Sequence, residues 1–398
     1  MHSDCTNVHK MIERQLIDIL KNRLEKFPIL TLVGPRQSGK STLLRNYFPD
    51  YEYINLERPD YRHLVMDDPI GFLSSREKGV IFDEAQQVPE LFSYLQVESD
   101  EKNRAGQYIL SGSQSFLMNE RISQSLAGRT SINRLFPFDI SEIGLRATVF
   151  DTIYTGFYPR IYDFSIEPNE FYPPYIQTYI ERDVRALRSI ENLTTFTRFL
   201  ALCAGRIGQT LNLTSLANDA GVSVNTAKSW LLLLEASFIL FQLQPYYKNF
   251  NKRLIKSPKI YFYDTGVVCS LLNIRSAEMI QSHYLYGALF ENFVIAEIIK
   301  LQSHKGYNKR NVYYWRDNHG VEVDCILEGA DGKLHLIEIK GGATMNTDYM
   351  KNLKSFPVKG AEVERHIIYT GENSLTTGDV EITGWNNLSK VLGELAEK

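Results

Sequence analysis

Apolar and polar positions alternate in blocks along the first third of the chain. Short apolar runs predict buried strands, and the stretches between them have helical spacing, so we expect a parallel sheet with helices on both faces. An amphipathic helix over residues 8–27, ending before Pro28, precedes the first strand. The last strand is expected over residues 131–138, and Pro137 near its end suits a sheet edge or a strand terminus because proline cannot donate to a ladder. The other strands are predicted over residues 29–33, 51–56, 80–84 and 107–110.

The middle of the chain changes to short helical patterns. Prolines and tyrosines between Leu145 and Tyr175 interrupt any long periodic element and indicate a domain boundary. Residues 213–231 predict a helix-turn-helix with Gly221 in the turn, Thr214 or Ser215 as the first N-cap and Ser223 as the second. A strand over residues 238–244 follows, as in a winged helix. Asp264, after another strand, is expected to act as a turn or cap residue.

The last part of the chain predicts a second α/β unit. Apolar residues at core spacing indicate a helix over residues 286–300, with Glu291 among them. Residues 321–327 and 334–340 are predicted strands, and Asp331-Gly332 between them is typical of a hairpin.

Length and composition limit the domain number and the class of protein. A chain of 398 residues predicts two or three domains, which we place at residues 1–150, 170–260 and 261–398. The net charge of −3 does not indicate a nucleic-acid-binding protein as a whole, so any basic site must be local. The widely spaced cysteines predict reduced thiols in a cytoplasmic protein. No secretory signal is seen, and the most apolar stretch, residues 230–243, is too short to span a bilayer, so no membrane partner is expected.

The first candidate site is the stretch that follows the first strand. Its sequence, GPRQSGKST, fits the phosphate-binding pattern G-x-x-x-x-G-K-[ST] between a predicted strand and a predicted helix. The glycines let successive backbone N–H groups point at phosphate oxygens, and the helix N-terminus favours the same anion. Lys40 is expected to bind the β and γ phosphates of ATP and Ser41 to bind Mg²⁺. The predicted nucleotide-binding residues are Gly34, Pro35, Arg36, Gln37, Ser38, Gly39, Lys40, Ser41 and Thr42.

Asp83 and Glu84 end the apolar strand of residues 80–84 and form the second candidate site. Asp83 is expected to orient the water ligands of Mg²⁺, and Glu84 to take a proton from the water that attacks the γ-phosphate. An apolar run that ends in two acidic residues is common, so the prediction depends on the phosphate loop upstream.

Polar residues also follow the strand of residues 107–110. Ser113 or Gln114 is expected to sense the γ-phosphate, because ligands of open α/β sheets bind at the carboxyl ends of the strands; the alternative is an ordinary polar loop. Arg129 is a candidate arginine finger, in its own subunit or a neighbour's, and the alternative is a surface or structural arginine.

In this order, the motifs GPRQSGKS, IFDEAQ, LSGSQ and LAGR resemble those of the AAA-type P-loop ATPases. The most similar group is that of the poorly characterised prokaryotic ATPases with a C-terminal domain of unknown function. The resemblance continues through residues 179–184, 211–265 and 338–340, and so covers nearly the whole chain. It implies an AAA-like sheet, ATP with Mg²⁺ and the same roles for Lys40, Ser41, Asp83 and Glu84. It implies no substrate.

A local basic stretch makes DNA a candidate partner of residues 213–259. The second helix of the predicted helix-turn-helix exposes Asn225, Lys228 and Ser229. Basic residues interleaved with aromatic ones follow, and such a surface is suited to phosphate contacts. The alternative is a winged-helix module used for domain packing or as a lid. The basic residues are Lys248, Lys252, Arg253, Lys256 and Lys259.

The C-terminal strands resemble the nuclease-like fold built on Asp…Glu-x-Lys, in which two carboxylates hold Mg²⁺ and a lysine orients water. Here the candidate metal ligands are Asp324 and Glu338, with Lys340 and Glu291 beside them. Glu338 and Lys340 share a strand face, and Asp324 joins them only if it lies opposite Glu338. A three-residue loop, residues 330–332 with Gly332 at positive φ, predicts this register. The alternatives are a solvated charged face or a nuclease fold kept only for docking.

These observations predict an α/β protein: an AAA-like P-loop sheet with helices on both faces, a helical or winged-helix segment and a small nuclease-like α/β domain. The predicted function is cytoplasmic ATP hydrolysis with Mg²⁺, in which Lys40 and Glu84 are catalytic and the nucleotide state is coupled to DNA or protein binding by the C-terminal half. The alternatives are an ATP-gated metal-dependent nuclease and a nucleotide-switched binding module with little turnover. A homo-oligomer is left open.

Overall fold

The computed structural model describes most of the chain. Its side chains are described for residues 12–76, 78–113, 122, 124–178, 192–246, 257–307, 311–317, 319–346, 349–358, 360 and 362–397, and residues 179–180 by backbone alone.

A parallel sheet forms the N-terminal part of the protein. Its strands are ordered β2-β3-β4-β1-β5, so β5 lies at an edge, and it ends at Arg134, before Pro137. The strands are β1 (Ile29–Val33), β2 (Glu52–Asn55), β3 (Val80–Asp83), β4 (Tyr108–Gly112) and β5 (Thr130–Arg134). The flanking helices are α1 (Leu16–Leu24), α2 (Lys40–Tyr47), α3 (Pro59–Asp67), α4 (Pro69–Ser74) and α5 (Leu91–Lys102), with a 3₁₀ turn over Ala85–Gln87.

Alternate residues along the strands are buried on opposite faces of this sheet. Leu30 and Leu32 pack among apolar side chains of α1 and α2, whereas Ile29 and Val33 join a cluster that includes α4 and α5. The predicted sheet with helices on both faces is therefore confirmed. The first helix is shorter than the expected 8–27 stretch, and residues 1–11 lie outside the described part of the chain.

Short helices follow the sheet, in agreement with the proline-rich sequence. A continuous helix nevertheless holds Pro173 and Pro174 within its last turn. A π-helical turn, Ile176–Ile180, follows that helix. The helices are α6 (Ile140–Ile143), α7 (Val149–Thr155), α8 (Pro159–Phe164), α9 (Pro168–Tyr175) and α10 (Leu193–Ala204).

The predicted helix-turn-helix is present as α11 (Leu213–Ala220) and α12 (Val224–Ala236). Gly221 lies in the turn with φ 77°, and Ser223 accepts the capping hydrogen bond of α12 from Thr226 N–H. The first N-cap prediction was wrong: Asn212, not Thr214 or Ser215, caps α11. The antiparallel pair β6 (Leu240–Leu243) and β7 (Lys259–Phe262) follows, and then α13 (Thr265–Leu271) and α14 (Ala277–Ser282). Asp264 caps α13, as expected.

The C-terminal part consists of a mixed sheet and the helix α15 (Tyr286–His304). The strand order is β12-β13-β11-β10-β9-β8. The strands are β8 (Val312–Arg316), β9 (Glu322–Glu328), β10 (Leu334–Lys340), β11 (Val363–Tyr369), β12 (Leu375–Thr377) and β13 (Val380–Gly384). The remaining elements are α16 (Tyr349–Ser355), a 3₁₀ turn (Trp385–Asn387) and α17 (Leu388–Glu397).

Helix α15 packs against strands of both sheets, and buried polar contacts hold it to the segment that follows β5. The Glu297 carboxylate accepts from Ile140 N–H at 2.8 Å, and Lys300 Nζ donates to the Phe138 carbonyl at 2.8 Å. His304 Nδ1 lies 2.6 Å from Asp139 Oδ2. Among the described residues, no helix is both long and apolar enough to cross a membrane.

Candidate functional site

The predicted phosphate loop lies between the carboxyl end of β1 and the start of α2. Gln37 and Gly39 have positive φ values of 60° and 95°, so the backbone curls between the two elements. Gly34 is required for a different reason: a Cβ there would lie 2.0 Å from the Leu135 carbonyl oxygen. Gly34, Pro35, Ser38 and Lys40 are buried, whereas Gln37 and Thr42 are exposed. Arg36 lies at the rim, 3.6 Å from Glu57.

The Lys40 side chain folds back onto its own loop. Its Nζ donates to the carbonyls of Gly34 and Pro35, both at 2.8 Å. Burial lowers the pKa of Lys40 to about 8, although the negative charges of Glu84 and Asp83 oppose the change. The amine is therefore held by two uncharged acceptors of its own loop.

Asp83 is surrounded by hydroxyl groups. Ser41 Oγ donates to Asp83 Oδ2 at 2.6 Å, and the hydroxyls of Tyr53 and Ser111 also donate to this carboxylate. Burial and Asp83 together raise the pKa of Tyr53 to about 12. A hydroxyl beside a carboxylate offers the oxygen donors that Mg²⁺ prefers, so Ser41 and Asp83 fit the predicted metal.

Glu84 sits next to Asp83 in a left-handed conformation, with φ 53°. Its carboxylate accepts from Gln86 Nε2 and, at 3.2 Å, from Ser113 Oγ. The sequence predicted a phosphate sensor at Ser113 or Gln114; Ser113 contacts Glu84, and Gln114 lies outside the described residues. Gln86 was missed by sequence reasoning.

Arg14 is the other residue that the sequence did not reveal. Its guanidinium is buried and donates to the Ser38 carbonyl at 2.8 Å, to the Phe136 carbonyl at 2.7 Å and to Glu142 Oε1 at 2.9 Å. It therefore fixes the phosphate loop to the segment that also contacts α15. An arginine just before a helix gives no sequence signal of burial.

A cavity of about 260 Å³ opens beside the loop. Thr42 and Gly39 form its loop side, and Phe138 and Phe164 are aromatic parts of its wall. The remaining lining residues are Ile12, Arg14, Gln37, Leu43, Pro159, Arg160 and Asp163.

Arg129 does not belong to this site within one chain. Its carbonyl accepts from Ile29 N–H at the first residue of β1, whereas the phosphate loop follows the last. At about 3.3 Å per residue, the Arg129 backbone and the start of the phosphate loop lie roughly 13 Å apart along β1. Its guanidinium pairs with both carboxylate oxygens of Asp100, at 2.6 and 2.7 Å. Within its own chain Arg129 is therefore engaged away from the phosphate loop, which favours the alternative of a structural arginine, and a finger on a neighbour's nucleotide stays a prediction.

The C-terminal carboxylates come together as the hairpin register predicts. Cys325 pairs with Ile337, so the next pair in register is Asp324 and Glu338. Gly329 N–H bonds to the Lys333 carbonyl at 3.0 Å, which closes the predicted three-residue loop, and Gly332 has φ 81°. The register prediction is confirmed.

Lys340 bridges the two carboxylates. Its Nζ lies 2.7 Å from Glu338 Oε1 and 3.3 Å from Asp324 Oδ2, and Asn352 donates to Glu338 Oε1 at 2.9 Å. Burial and the charge of Asp324 raise the pKa of Glu338 to about 7, and the same two causes raise the pKa of Glu291 to about 7. Buried carboxylates that disfavour each other's charge are typical of a cation site.

One residue of the predicted basic surface is buried in the structure. Lys259 is buried and ion-paired with Glu291 at 3.0 Å and with Glu322, so it cannot contact DNA. Asn225 and Lys228 are exposed on α12, as predicted, whereas Ser229 is half-buried. Lys248, Lys252, Arg253 and Lys256 lie outside the described residues.

Comparison with known proteins assigns families to three successive parts of the chain. Residues 26–144 match the family described as AAA domain. Residues 146–278 match a domain of unknown function, DUF8612, and residues 286–388 match another, DUF4143.

Two mycobacterial proteins resemble nearly the whole chain. They are "Uncharacterized protein Rv2008c" of Mycobacterium tuberculosis and "Uncharacterized protein Mb2031c" of Mycobacterium bovis, each 30% identical over 370 residues, which is 91% of this chain and 81% of the relative. A solved structure, the Walker-type ATPase paby2304 of Pyrococcus abyssi, is 16% identical, with a TM-score of 0.42 over 66% of this chain and 96% of that one. The chain belongs to the family of the two mycobacterial proteins, and its N-terminal part is an AAA-type P-loop ATPase domain.

Proposed function

We propose that this AAA-family protein binds ATP with Mg²⁺ at residues 34–42 and hydrolyses it with Glu84 as the general base. One observation carries the proposal: Lys40, Ser41, Asp83 and Glu84 lie together at the carboxyl edge of the parallel sheet. Ser41 Oγ and Asp83 Oδ2 are 2.6 Å apart, and Glu84 follows Asp83 directly. The position agrees with the rule that open α/β sheets bind ligands at this edge.

The side chains take separate roles in this proposal. Lys40 exchanges the carbonyls of Gly34 and Pro35 for phosphate oxygens, and Asp83 orients Ser41. Glu84 accepts the proton of the attacking water, while Gln86 and Ser113 hold its carboxylate. Bound Mg²⁺ would neutralise charge on the phosphates.

The cavity beside the loop is our proposed site for the adenine base. It adjoins Gly39 and Thr42 and has an aromatic wall that includes Phe138 and Phe164. A flat aromatic base would stack on such a wall while the triphosphate extends into the loop.

We propose that Arg14 and α15 carry the nucleotide state to the C-terminal half. Arg14 contacts the loop at Ser38 and the Phe136 carbonyl, and Phe136 N–H donates to His304 of α15 at 3.3 Å. The same helix carries Glu291, which faces the cluster around Asp324. A rearrangement of the phosphate loop would thus shift α15 through these polar contacts and, with it, the second sheet.

The direct test is ATP turnover by the purified chain with Mg²⁺. Lys40→Ala should abolish binding or turnover, because it removes the cation that contacts the phosphates. Lys26→Ala is the matched control, since Lys26 is exposed in the turn after α1. Full turnover in the Lys40→Ala protein would contradict the proposal.

The C-terminal site supports a second function, metal-dependent cleavage of DNA. The observation in its favour is that the strand register brings Asp324, Glu338 and Lys340 to one point. The two carboxylates supply oxygen ligands for a divalent cation, and Lys340 would orient the attacking water. DNA cleavage with Mg²⁺ that is lost in Asp324→Asn supports this function; cleavage that persists in that variant opposes it.

We also propose that α11, α12, β6 and β7 form a winged helix that binds DNA or a protein. Asn225 and Lys228 are exposed on α12, where a recognition helix presents its side chains. Stimulation of ATP turnover by DNA, and its loss in Lys228→Glu, would favour DNA as the partner. ATP turnover indifferent to DNA would favour a protein.

A further inference from the structure

A second cluster of ligand-type side chains lies in the C-terminal sheet. Strands β10 and β11 run parallel and pair His335 with Glu364, and His366 follows two residues later. Because side chains alternate along a strand, these three residues share one face of the sheet, opposite to the face of Glu338. Both histidines are buried, and the Glu364 side chain is 31% exposed, so the cluster has an opening toward solvent.

The distances within the cluster match those of a tetrahedral metal site. His335 Nδ1 lies 3.4 Å from His366 Nε2 and 3.3 Å from Glu364 Oε2. One ligand atom from each residue lies within 4.8 Å of the others. Zinc with bonds of about 2.0–2.1 Å separates tetrahedral ligand atoms by about 3.3 Å.

The surroundings hold these ligand atoms in place. His366 Nδ1, the nitrogen facing away from His335, lies 3.3 Å from Glu381 Oε2. Lys333 Nζ binds Glu364 Oε1 at 2.9 Å, which leaves Oε2 directed to His335. Carboxylates behind ligating imidazoles are a regular feature of metal sites, because they fix the ring orientation and its tautomer.

The other ring nitrogen of His335, Nε2, also lies near a carboxylate. His335 Nε2 lies 3.9 Å from Asp331 Oδ1, in the loop between β9 and β10. A Cβ at Gly329 would lie 2.4 Å from this oxygen and 3.1 Å from the ring nitrogen, so glycine permits the approach.

The cluster of Asp139, Glu142 and His304 has similar ligand types but a different chemistry. His304 Nε2 accepts from Phe136 N–H at 3.3 Å, and Asp139 caps α6. Arg14 donates to Glu142 at 2.9 Å. These hydrogen bonds give the cluster a structural role, because they hold α15 against the segment that follows the parallel sheet.

We propose that His335 Nδ1, His366 Nε2 and Glu364 Oε2 bind a divalent transition metal of the zinc type, with water in the fourth position. Imidazole nitrogens and one carboxylate select such an ion over Mg²⁺. The metal joins β10 to β11, so its binding stabilises the folded C-terminal sheet. The site is separate from the phosphate loop and from Asp324.

The test uses the full chain without an affinity tag, stripped by a chelator and free of nucleotide. Zinc is titrated in competition with a chromophoric chelator, and the melting temperature is measured with and without zinc. We expect one tightly bound zinc per chain and a higher melting temperature. His366→Gln and Glu364→Gln should lose both effects, whereas His319→Gln, an exposed histidine of the same part, should keep them.

Two additions keep the test decisive. Glu364 is partly exposed, so Glu364→Gln should fold even if His366→Gln does not. Glu381→Gln should bind zinc about tenfold more weakly, because only the support of His366 is lost. Equal zinc binding by the wild type and Glu364→Gln, or no binding by the wild type, would overturn the proposal.

Discussion

At the residue scale, the contacts of Lys40 bear on the proposed binding of ATP. Two backbone carbonyls hold its amine, and burial lowers its pKa to about 8. A triphosphate would supply the negative charge that the loop lacks, so the bound state favours the protonated amine.

This predicts a pH dependence of ATP binding. Below pH 8 the amine is protonated in the free protein, and affinity should be constant. Above pH 8 binding must first protonate Lys40, so the dissociation constant should rise toward about tenfold per pH unit. Calorimetric titrations between pH 7 and 9.5 check this, with Lys40→Arg as the control because a guanidinium does not titrate there. A flat profile in the wild type would contradict the expectation.

The Glu338 carboxylate gives a second prediction at this scale. Its folded-state pKa of about 7 exceeds the ordinary Glu value, so its ionisation destabilises the folded protein as pH rises from about 4.5 through 7. Glu338→Gln should therefore stabilise the metal-free protein at pH 8, by on the order of 1–3 kcal/mol, and change little at pH 5.

Denaturant unfolding in chelator at the two pH values measures this difference. Glu394→Gln, at an exposed site on α17, is the control and should have no effect at either pH. A Glu338→Gln protein less stable than the wild type at pH 8 would show that the pair with Lys340 outweighs the repulsion from Asp324.

Single residues differ in how far the sequence determines them. The pairing of Asp324 with Glu338 follows from the odd number of residues in the hairpin loop, so it could be predicted from the sequence. The burial of Lys259 depends on Glu291 and Glu322, which lie 32 and 63 positions away along the chain, so a local basic pattern misplaced it. For Arg129 the sequence left a finger and a structural arginine open, because a motif order does not tell which end of a strand a residue occupies.

At the element scale, helix α15 is the joint between the two sheets. Its Lys300 is fully buried, pairs with Glu297 and donates to the Phe138 carbonyl. The sequence predicted this helix and its apolar core positions, because a helical repeat is a local signal. It could not show that the polar residues of the same helix bind the backbone of a segment about 160 residues earlier.

The buried pair of Lys300 and Glu297 predicts a large loss of stability when the Lys300 amine is removed. Lys300→Met keeps the apolar stem but leaves Glu297 buried without its cation, so unfolding should become easier by about 3–5 kcal/mol. Lys305→Met, just after the same helix, breaks a pair with the exposed Glu397 and should cost about 1 kcal/mol or less. Urea unfolding of both variants at neutral pH makes the comparison. Equal losses would show that Lys300 contributes no more than a surface pair.

At the scale of the whole molecule, a continuous set of buried apolar residues extends from the parallel sheet to α17. The phosphate loop and the Asp324 cluster are thus parts of one packed body, joined by Arg14 and α15. The sequence predicted both candidate sites, since a local motif marks each of them. The contacts that connect the two sites depend on the tertiary fold, so no local pattern in the sequence indicates them.

Coupling through α15 predicts a distant response to nucleotide. A non-hydrolysable ATP analogue with Mg²⁺ should increase amide protection in residues 134–142 and 286–304 as well as in the loop. Hydrogen exchange measures this, and Lys40→Ala should remove the response. Protection confined to residues 34–47 would argue against coupling along this path.

The central claim is that Glu84 activates water for ATP hydrolysis. The most direct measurement is turnover and nucleotide binding of Glu84→Gln beside the wild type, with Mg²⁺ in both. A glutamine keeps the contacts with Gln86 and Ser113 but cannot accept the proton, so binding should persist while turnover falls by about 10²–10⁴-fold. Turnover equal to that of the wild type would contradict the account, because Glu84 would then have no part in the reaction.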